Sequence, residues 1–396
     1  MDRSSLLLMA LLCAHGPLAA AVSLQADPHQ GEEGPTATWR SASVRRGIEL
    51  LIEMQEGSGP AEWPYEGVYR VRRKIPIGYR VGGTGIVASA LIQAPGYAED
   101  SVRREAVERA VEFVCGSIEH DLMDPDYSGG YDVRGWGYAY GLAFLLRLER
   151  LKLIPKEHSR AAKKAARFFI DALERIEIPA KGGWSYSRSG PLDEPSNPSP
   201  FMTAPCLQAL FEAEAAGHKV DRKVVERGIA ALESSRTSSG AIVYSSSGDS
   251  LGSRDKVPGA VGRMLAAEAT LLLAGRGSQA DVRGAVDAFL VHWRWLDKRR
   301  AQTGTHVAPY GVAPYYFYYA HYFAAQAIEL LSKHERAEYR ARLAELLYSV
   351  QLEDGTWNDR VFDRSANYGT AMSILALMMP DLQPPAAWAR GLKKAR

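Results

Sequence analysis

Asp132, Asp359 and Asp363 are the carboxylates placed to serve a cavity in this chain. A carboxylic acid in such a place can protonate an alkene, while glycan hydrolysis asks for two opposed carboxylates. His306, Tyr310 and His321, with Arg80, offer the base, acid and charge that lyase chemistry needs in one cleft. Arg70, Arg72, Arg73, Lys74 and Arg80 precede Gly82-Gly83-Thr84. Arginines before a helix start suit a diphosphate or an acidic glycan, although a solvated basic loop is the commoner outcome. Asp124, Asp126, Ser128 and Asp132 imitate the first half of a calcium loop, but Gly135 replaces the bidentate carboxylate, so no metal is expected. Serine-nucleophile, zinc-protease, dinucleotide and P-loop motifs are missing, and no cofactor is expected. His321 on an aromatic stretch reads first as a packed histidine.

Aromatic residues are the strongest hint of a ligand. Tyr310, Tyr315, Tyr316, Tyr318, Tyr319 and Tyr322 crowd one segment, and Trp136, Tyr138, Tyr140, Trp184, Tyr186 and Tyr368 lie near other loops or the starts of second helices. Around the mouth of a cavity they would suit a small hydrophobic ligand or a sugar ring. Packing between repeats is the competing reading.

The elements that hold these residues recur. Trp63, Tyr131, Trp184, Tyr244, Tyr310 and Trp357 each sit in a turn, with a mean spacing of about 59 residues. Helical periodicity precedes each turn, over 41–55, 101–119, 157–176, 221–234, 279–299 and 335–351. A second helix follows, over 84–94, 136–150, 203–216, 259–274, 315–332 and 369–379. Thr84, Thr203 and Thr370 are read as capping these second helices. Strand alternation is nearly missing. The last stretch is strongly apolar, at Ile374, Leu375, Leu377, Met378 and Met379. A polar cap would end an open solenoid, so the chain is expected to close on itself. The expected fold is all-α, an (α/α)6 toroid of six helical hairpins over 39–383, with a tail over 384–396.

The chain has 396 residues, 46% hydrophobic and 24% charged, with a net charge of +2. That balance leaves no bulk electrostatic case for nucleic acid. Residues 1–21 read as a signal peptide: Arg3, an apolar core at 6–14, then Ala19-Ala20-Ala21. The core is too short to span a bilayer, and no later segment approaches that length. The mature chain is expected in the periplasm or outside the cell, without an integral membrane segment. Residues 22–38 read as a flexible leader. Cys115 and Cys206 then remain, both in apolar helical patterns, and read as buried thiols.

Gln351, Gly355 and Trp357 form Gln-x-x-x-Gly-x-Trp, which resembles the repeat motif of the prenyltransferase and squalene/terpenoid cyclase superfamily. The stretch from Tyr315 to Gln326, followed by that motif, resembles a group of exported bacterial repeat proteins within it. The resemblance implies an α/α barrel, with Gln351 and Trp357 in structural roles. The cyclase Asp-x-Asp-Asp run is missing, and neither Cys115 nor Cys206 has the Asp two residues earlier that the zinc transferases use. The leading expectation is therefore a binding or scaffold protein with an aromatic-lined central cavity. The alternatives are a divergent terpenoid or lipid cyclase or prenyltransferase-like enzyme, and a glycan lyase or hydrolase.

Overall fold

A computed structural model describes residues 35–127, 133–186, 192–194, 196–245, 252–306 and 308–388. The expected signal peptide, Tyr131 and Asp132 lie outside the described residues. Among them are twelve α-helices and no strand: α1 Pro35–Glu53, α2 Ile77–Gln93, α3 Ser101–Gly116, α4 Arg134–Leu151, α5 Ser159–Arg175, α6 Pro200–Ala215, α7 Arg222–Glu233, α8 Val257–Leu273, α9 Gln279–Asp297, α10 Tyr316–Leu330, α11 Lys333–Tyr348 and α12 Ser365–Met378. No described helix is long and apolar enough to cross a membrane.

Composition separates two classes of helix. In α5, Ala162, Ala165, Ala166, Phe169, Ile170 and Leu173 are buried along one face, and the other face is charged. Helices such as α2, α8 and α12 are buried nearly all round. A helix apolar on every side has to lie inside. Accordingly α2, α4, α6, α8, α10 and α12 each touch the next, and α12 touches α2, so the inner ring closes. Outer helices pack on it; Gly47 of α1 lies against Ile374 and Thr370 of α12. The fold is an α/α toroid, as expected, and the apolar last helix is the reason it closes. Small residues set the tightest crossing. A Cβ on Gly78 would stand 2.3 Å from the Val133 carbonyl oxygen, so only glycine lets α2 meet α4 there.

The repeat motif acts as a clasp. The indole N–H groups of Trp63, Trp184 and Trp357 donate to the carbonyls of Leu51, Leu173 and Leu347, at or near the ends of outer helices, at 2.6, 2.8 and 2.8 Å. Their backbone N–H groups donate to Thr84, Thr203 and Thr370 on inner helices at 2.9, 3.0 and 3.1 Å. Each clasp uses groups a helix end leaves unpaired and ties an outer helix to an inner one. This corrects the capping reading of the threonines. The inner helices begin earlier, at Ile77, Pro200 and Ser365, so each threonine lies inside its helix and receives the tryptophan. Gln351 donates to the Gly355 carbonyl at 2.9 Å and shapes the turn, where Gly355 takes a left-handed φ of 95°. Cys115 and Cys206 are buried and unbridged.

Candidate functional site

The clasp sets the position two residues beyond each tryptophan: Tyr65, Tyr186 and Asp359. All three are buried, at 2%, 5% and 0% exposure. They meet the first turns of the inner helices, where most of the expected aromatic residues gather. Tyr65 lies 4.6 Å from Tyr368, 5.1 Å from Tyr79 and 5.7 Å from Trp136, ring centre to ring centre. Tyr186 stacks on Phe201 at 5.2 Å, and Phe201 lies 5.3 Å from Tyr315 and 4.2 Å from Tyr319. The Arg360 guanidinium lies 5.8 Å from the Tyr315 ring and joins the two groups. These spacings are those of packed aromatic pairs. The expected aromatic-lined cavity is thus corrected: at this end the rings pack on one another, because edge-to-face contact buries their large apolar area more fully than an open mouth would.

Asp359 is the carboxyl inside that packing. Its Oδ2 accepts from the Tyr65 hydroxyl at 3.1 Å, and its Oδ1 has no hydrogen-bond partner among the described residues. Burial pushes the carboxyl up to about 7, against the pull of Arg360 and the Tyr65 hydrogen bond. Arg360 makes no ion pair with it among the described residues. Its Nε donates to the Tyr65 hydroxyl at 3.3 Å and its Nη1 to the Gln302 carbonyl at 3.4 Å. A carboxyl that keeps its proton up to about pH 7 against aromatic faces can act as a proton donor. On the far side, His306 meets the Tyr244 hydroxyl at 3.0 Å and the Gly311 carbonyl. Burial lowers its pKa, so it is a neutral base at pH 7. Buried Asp255 accepts from the Tyr244 backbone N–H at 2.7 Å.

Other expected site residues go elsewhere. Arg80 forks onto Glu62 at 2.6–3.0 Å, Arg70 pairs with Glu66 at 2.6 Å and Arg72 with Asp121 at 3.0 Å. Arg73 lies in the same loop with a left-handed φ of 65°. The expected anion site is corrected accordingly: three of its arginines are each matched by a separate carboxylate, which costs less than gathering like charges. His321 is a core residue. It accepts from the Trp293 indole at 2.9 Å, meets the Phe317 carbonyl at 2.7 Å, and burial lowers its pKa to about 4. Tyr138 donates to the Met123 carbonyl and packs on Phe168 and Phe169 between helices, away from Asp359. Trp184 is spent on its clasp. Tyr310 lies against Trp295 at 4.9 Å. Tyr318 is buried against Phe317 at 4.9 Å. In the calcium-like loop, Asp124 accepts from the Asp126 N–H and Asp126 pairs with Arg175, as in an ordinary polar turn. Glu108, Glu157 and His158 bring three metal-type donor atoms within 4.8 Å of one another on the outer layer.

Sequence reasoning named Asp359 only as an acid and missed Tyr65, Tyr79 and Arg360. The signal was available, because Asp359 stands at the position that Tyr65 and Tyr186 hold in the other clasped turns.

The opposite end of the ring is open to a different degree. A cavity of about 70 Å³ lies among the later turns of the inner helices, lined by Ile86, Tyr140, Arg147, Gln208, Gln326 and Met372 among others. The tail crosses below it: Leu382, Gln383 and Pro385 form part of its wall.

No protein-family model matches this sequence, and no curated protein matches it. Solved structures do. The GH76A α-1,6-mannanase from Salegentibacter sp. HEL1_6, an inactive variant in complex with α-1,6-mannotetrose, superposes with a TM-score of 0.57 at 14% identity, over 85% of this chain and 98% of that one. The type II terpene cyclase MstE from Scytonema, in complex with geranylgeranyl dihydroxybenzoate, gives 0.53 at 14% identity, over 88% and 99%. A possible GH105 member from Klebsiella pneumoniae gives 0.55 at 11% identity, over 92% and 99%. At these identities the likeness establishes the α/α toroid fold and leaves the chemistry to the residues.

Proposed function

We propose that this is an exported ligand-binding or scaffold protein that uses the toroid as a rigid frame rather than as a catalytic barrel. The observation that carries the reading is the packed aromatic end of the ring around Asp359. Tyr65, Tyr79, Trp136, Tyr186, Phe201 and Tyr368 are each at most 5% exposed and pack on one another where a barrel enzyme would admit substrate. A glycan hydrolase needs two carboxyls facing each other across a sugar, roughly 5–9.5 Å apart with room between them. Here Asp359 is walled by aromatic rings, and Asp255 is held by the Tyr244 backbone.

A second reading rests on Asp359 itself. A carboxyl raised to about 7, with one oxygen unpartnered and aromatic faces around it, has the equipment for protonating an unsaturated lipid or terpenoid. That chemistry would require the packed rings to part for the substrate.

The test is turnover. Full-length protein and its D359N variant are incubated with α-1,6-mannotetrose and with geranylgeranyl dihydroxybenzoate, and products are sought by mass spectrometry. The binding reading expects no product from either substrate. A cyclised product made by the wild type and lost in D359N would replace it with the second reading, and cleavage of the sugar would replace it with the glycan reading.

A further inference from the structure

The cavity at the far end of the ring has an unmatched positive charge. Three charged side chains line it: Arg147, Arg150 and Glu212. Glu212 takes Arg150 at 3.2 Å. Arg147 forms no ion pair among the described residues, and its one hydrogen bond there is a long one, 3.5 Å to the Tyr322 hydroxyl. A guanidinium carries five donors in a fork that fits a carboxylate. Beside it the Tyr140 hydroxyl is buried and has no partner among the described residues. Above, Gln208 and Gln326 exchange amide hydrogen bonds at 2.8 and 3.0 Å, and Gln208 also donates to Thr270 at 2.9 Å, so a polar belt spans the lumen. Ile86, Met372, Leu375 and Met379 supply an apolar wall.

The tail closes this end like a strap. From α12 it runs to α6, α7 and α8. The Ala386 N–H donates to Glu212 at 2.9 Å, and the Trp388 N–H to the Leu273 carbonyl at 3.0 Å. The Trp388 indole donates to Glu226 at 2.8 Å and packs on Phe211 at 5.4 Å, with Arg222 over its ring at 4.4 Å. Residues 382–388 are thus held on the ring, and 384–388 belong to the segment expected only as a tail.

We infer that this strapped cavity is a binding site for a one- or two-carbon monocarboxylate, with Arg147 holding the carboxylate and the aliphatic wall taking the rest of the molecule. The inference deepens the binding reading and rests on it. Turnover at the aromatic end and titration at this end are separate measurements, so the two fail independently. Size sets the chain length. A dry cavity of about 150 Å³ accommodates the six heavy atoms of benzene, so about 70 Å³ suits about three or four heavy atoms, the size of formate or acetate. Several inner helices present their carbonyl ends here, and these disfavour an anion. Arg147 therefore has to supply the attraction, and its removal should weaken binding at least tenfold.

The test is calorimetric titration of the full chain with sodium acetate, with acetamide as the neutral control. The expected result is one saturable site for acetate and none for acetamide. R147Q should lose binding at least tenfold, and R147K should keep part of it. A143L fills the cavity with Arg147 intact and should block acetate as well. Absence of a saturable site in the folded wild type, equal binding of acetamide, or wild-type affinity in either R147Q or A143L would overturn the inference.

Discussion

Replacing Asp359 by asparagine should stabilise the protein above neutral pH. The wild-type carboxyl is buried against Tyr65, Tyr79 and Tyr368, and its pKa rises from the ordinary 3.8 to about 7. Between those values the folded state holds a proton that the unfolded state has released. Stability therefore falls as pH rises through that window and levels off above it. A rise from 3.8 to about 7 corresponds to about 4 kcal/mol at 1.36 kcal/mol per decade. Asparagine has the same shape, still offers the Tyr65 hydroxyl an acceptor, and carries no charge to desolvate. D359N and wild type should thus have similar unfolding free energies near pH 4, with the variant ahead by up to about 4 kcal/mol at pH 8. Urea denaturation followed by tryptophan fluorescence at four pH values between 4 and 8.5 measures this directly. A difference that is flat with pH would refute the reasoning. So would a wild type that gains on the variant as pH rises, since that would mean Arg360 holds Asp359 ionised.

His321 supplies a trend of opposite sense: its pKa is lowered to about 4, so the fold should lose about 3 kcal/mol as pH falls from 6.5 to 4. An imidazole NMR signal for His321 that titrates near 6.5 would contradict this. Breaking one clasp by Thr203→Val removes the acceptor of the Trp184 N–H and should cost about 1–3 kcal/mol in chemical denaturation. Gly369→Ala places a Cβ 2.2 Å from the Trp357 carbonyl oxygen and should cost more than about 2 kcal/mol, whereas Gly284→Ala, which meets nothing, should be neutral or stabilising. If residues 1–21 are a cleaved signal, intact mass of the exported protein should place its N-terminus at Val22, and uncleaved protein in the cytoplasm would contradict the export reading.

Most of the fold was legible because the period of the apolar residues carries it. The all-round apolar stretches became the inner ring and the one-sided stretches, such as α5, the outer layer. Helix starts were less legible. The first inner helix begins at Ile77 rather than at 84: the expected start was set at Gly82-Gly83-Thr84, but Gly78, Gly82 and Gly83 all lie within the helix and serve close packing in the ring. The candidate site was half legible. Aromatic residues near the turns were expected at the ring mouth, but whether rings line a space or fill it depends on how six chain segments meet, which no single segment encodes. Asp359 was visible as an acid; its pKa is raised by burial, and the segment of Tyr65 that it meets lies close to three hundred residues away in sequence. Arg147 and Trp388 carried no sequence signal, because an unpaired charge and a docked tail are defined only by what lies opposite them.

The central claim is that the end of the ring around Asp359 is filled by the protein's own side chains. A crystal structure of the full chain soaked in α-1,6-mannotetrose tests it most directly. The account predicts Tyr65, Trp136 and Tyr368 in mutual contact around Asp359, with no sugar density among them. Sugar bound beside the Asp359 carboxyl, with those rings parted, would contradict it.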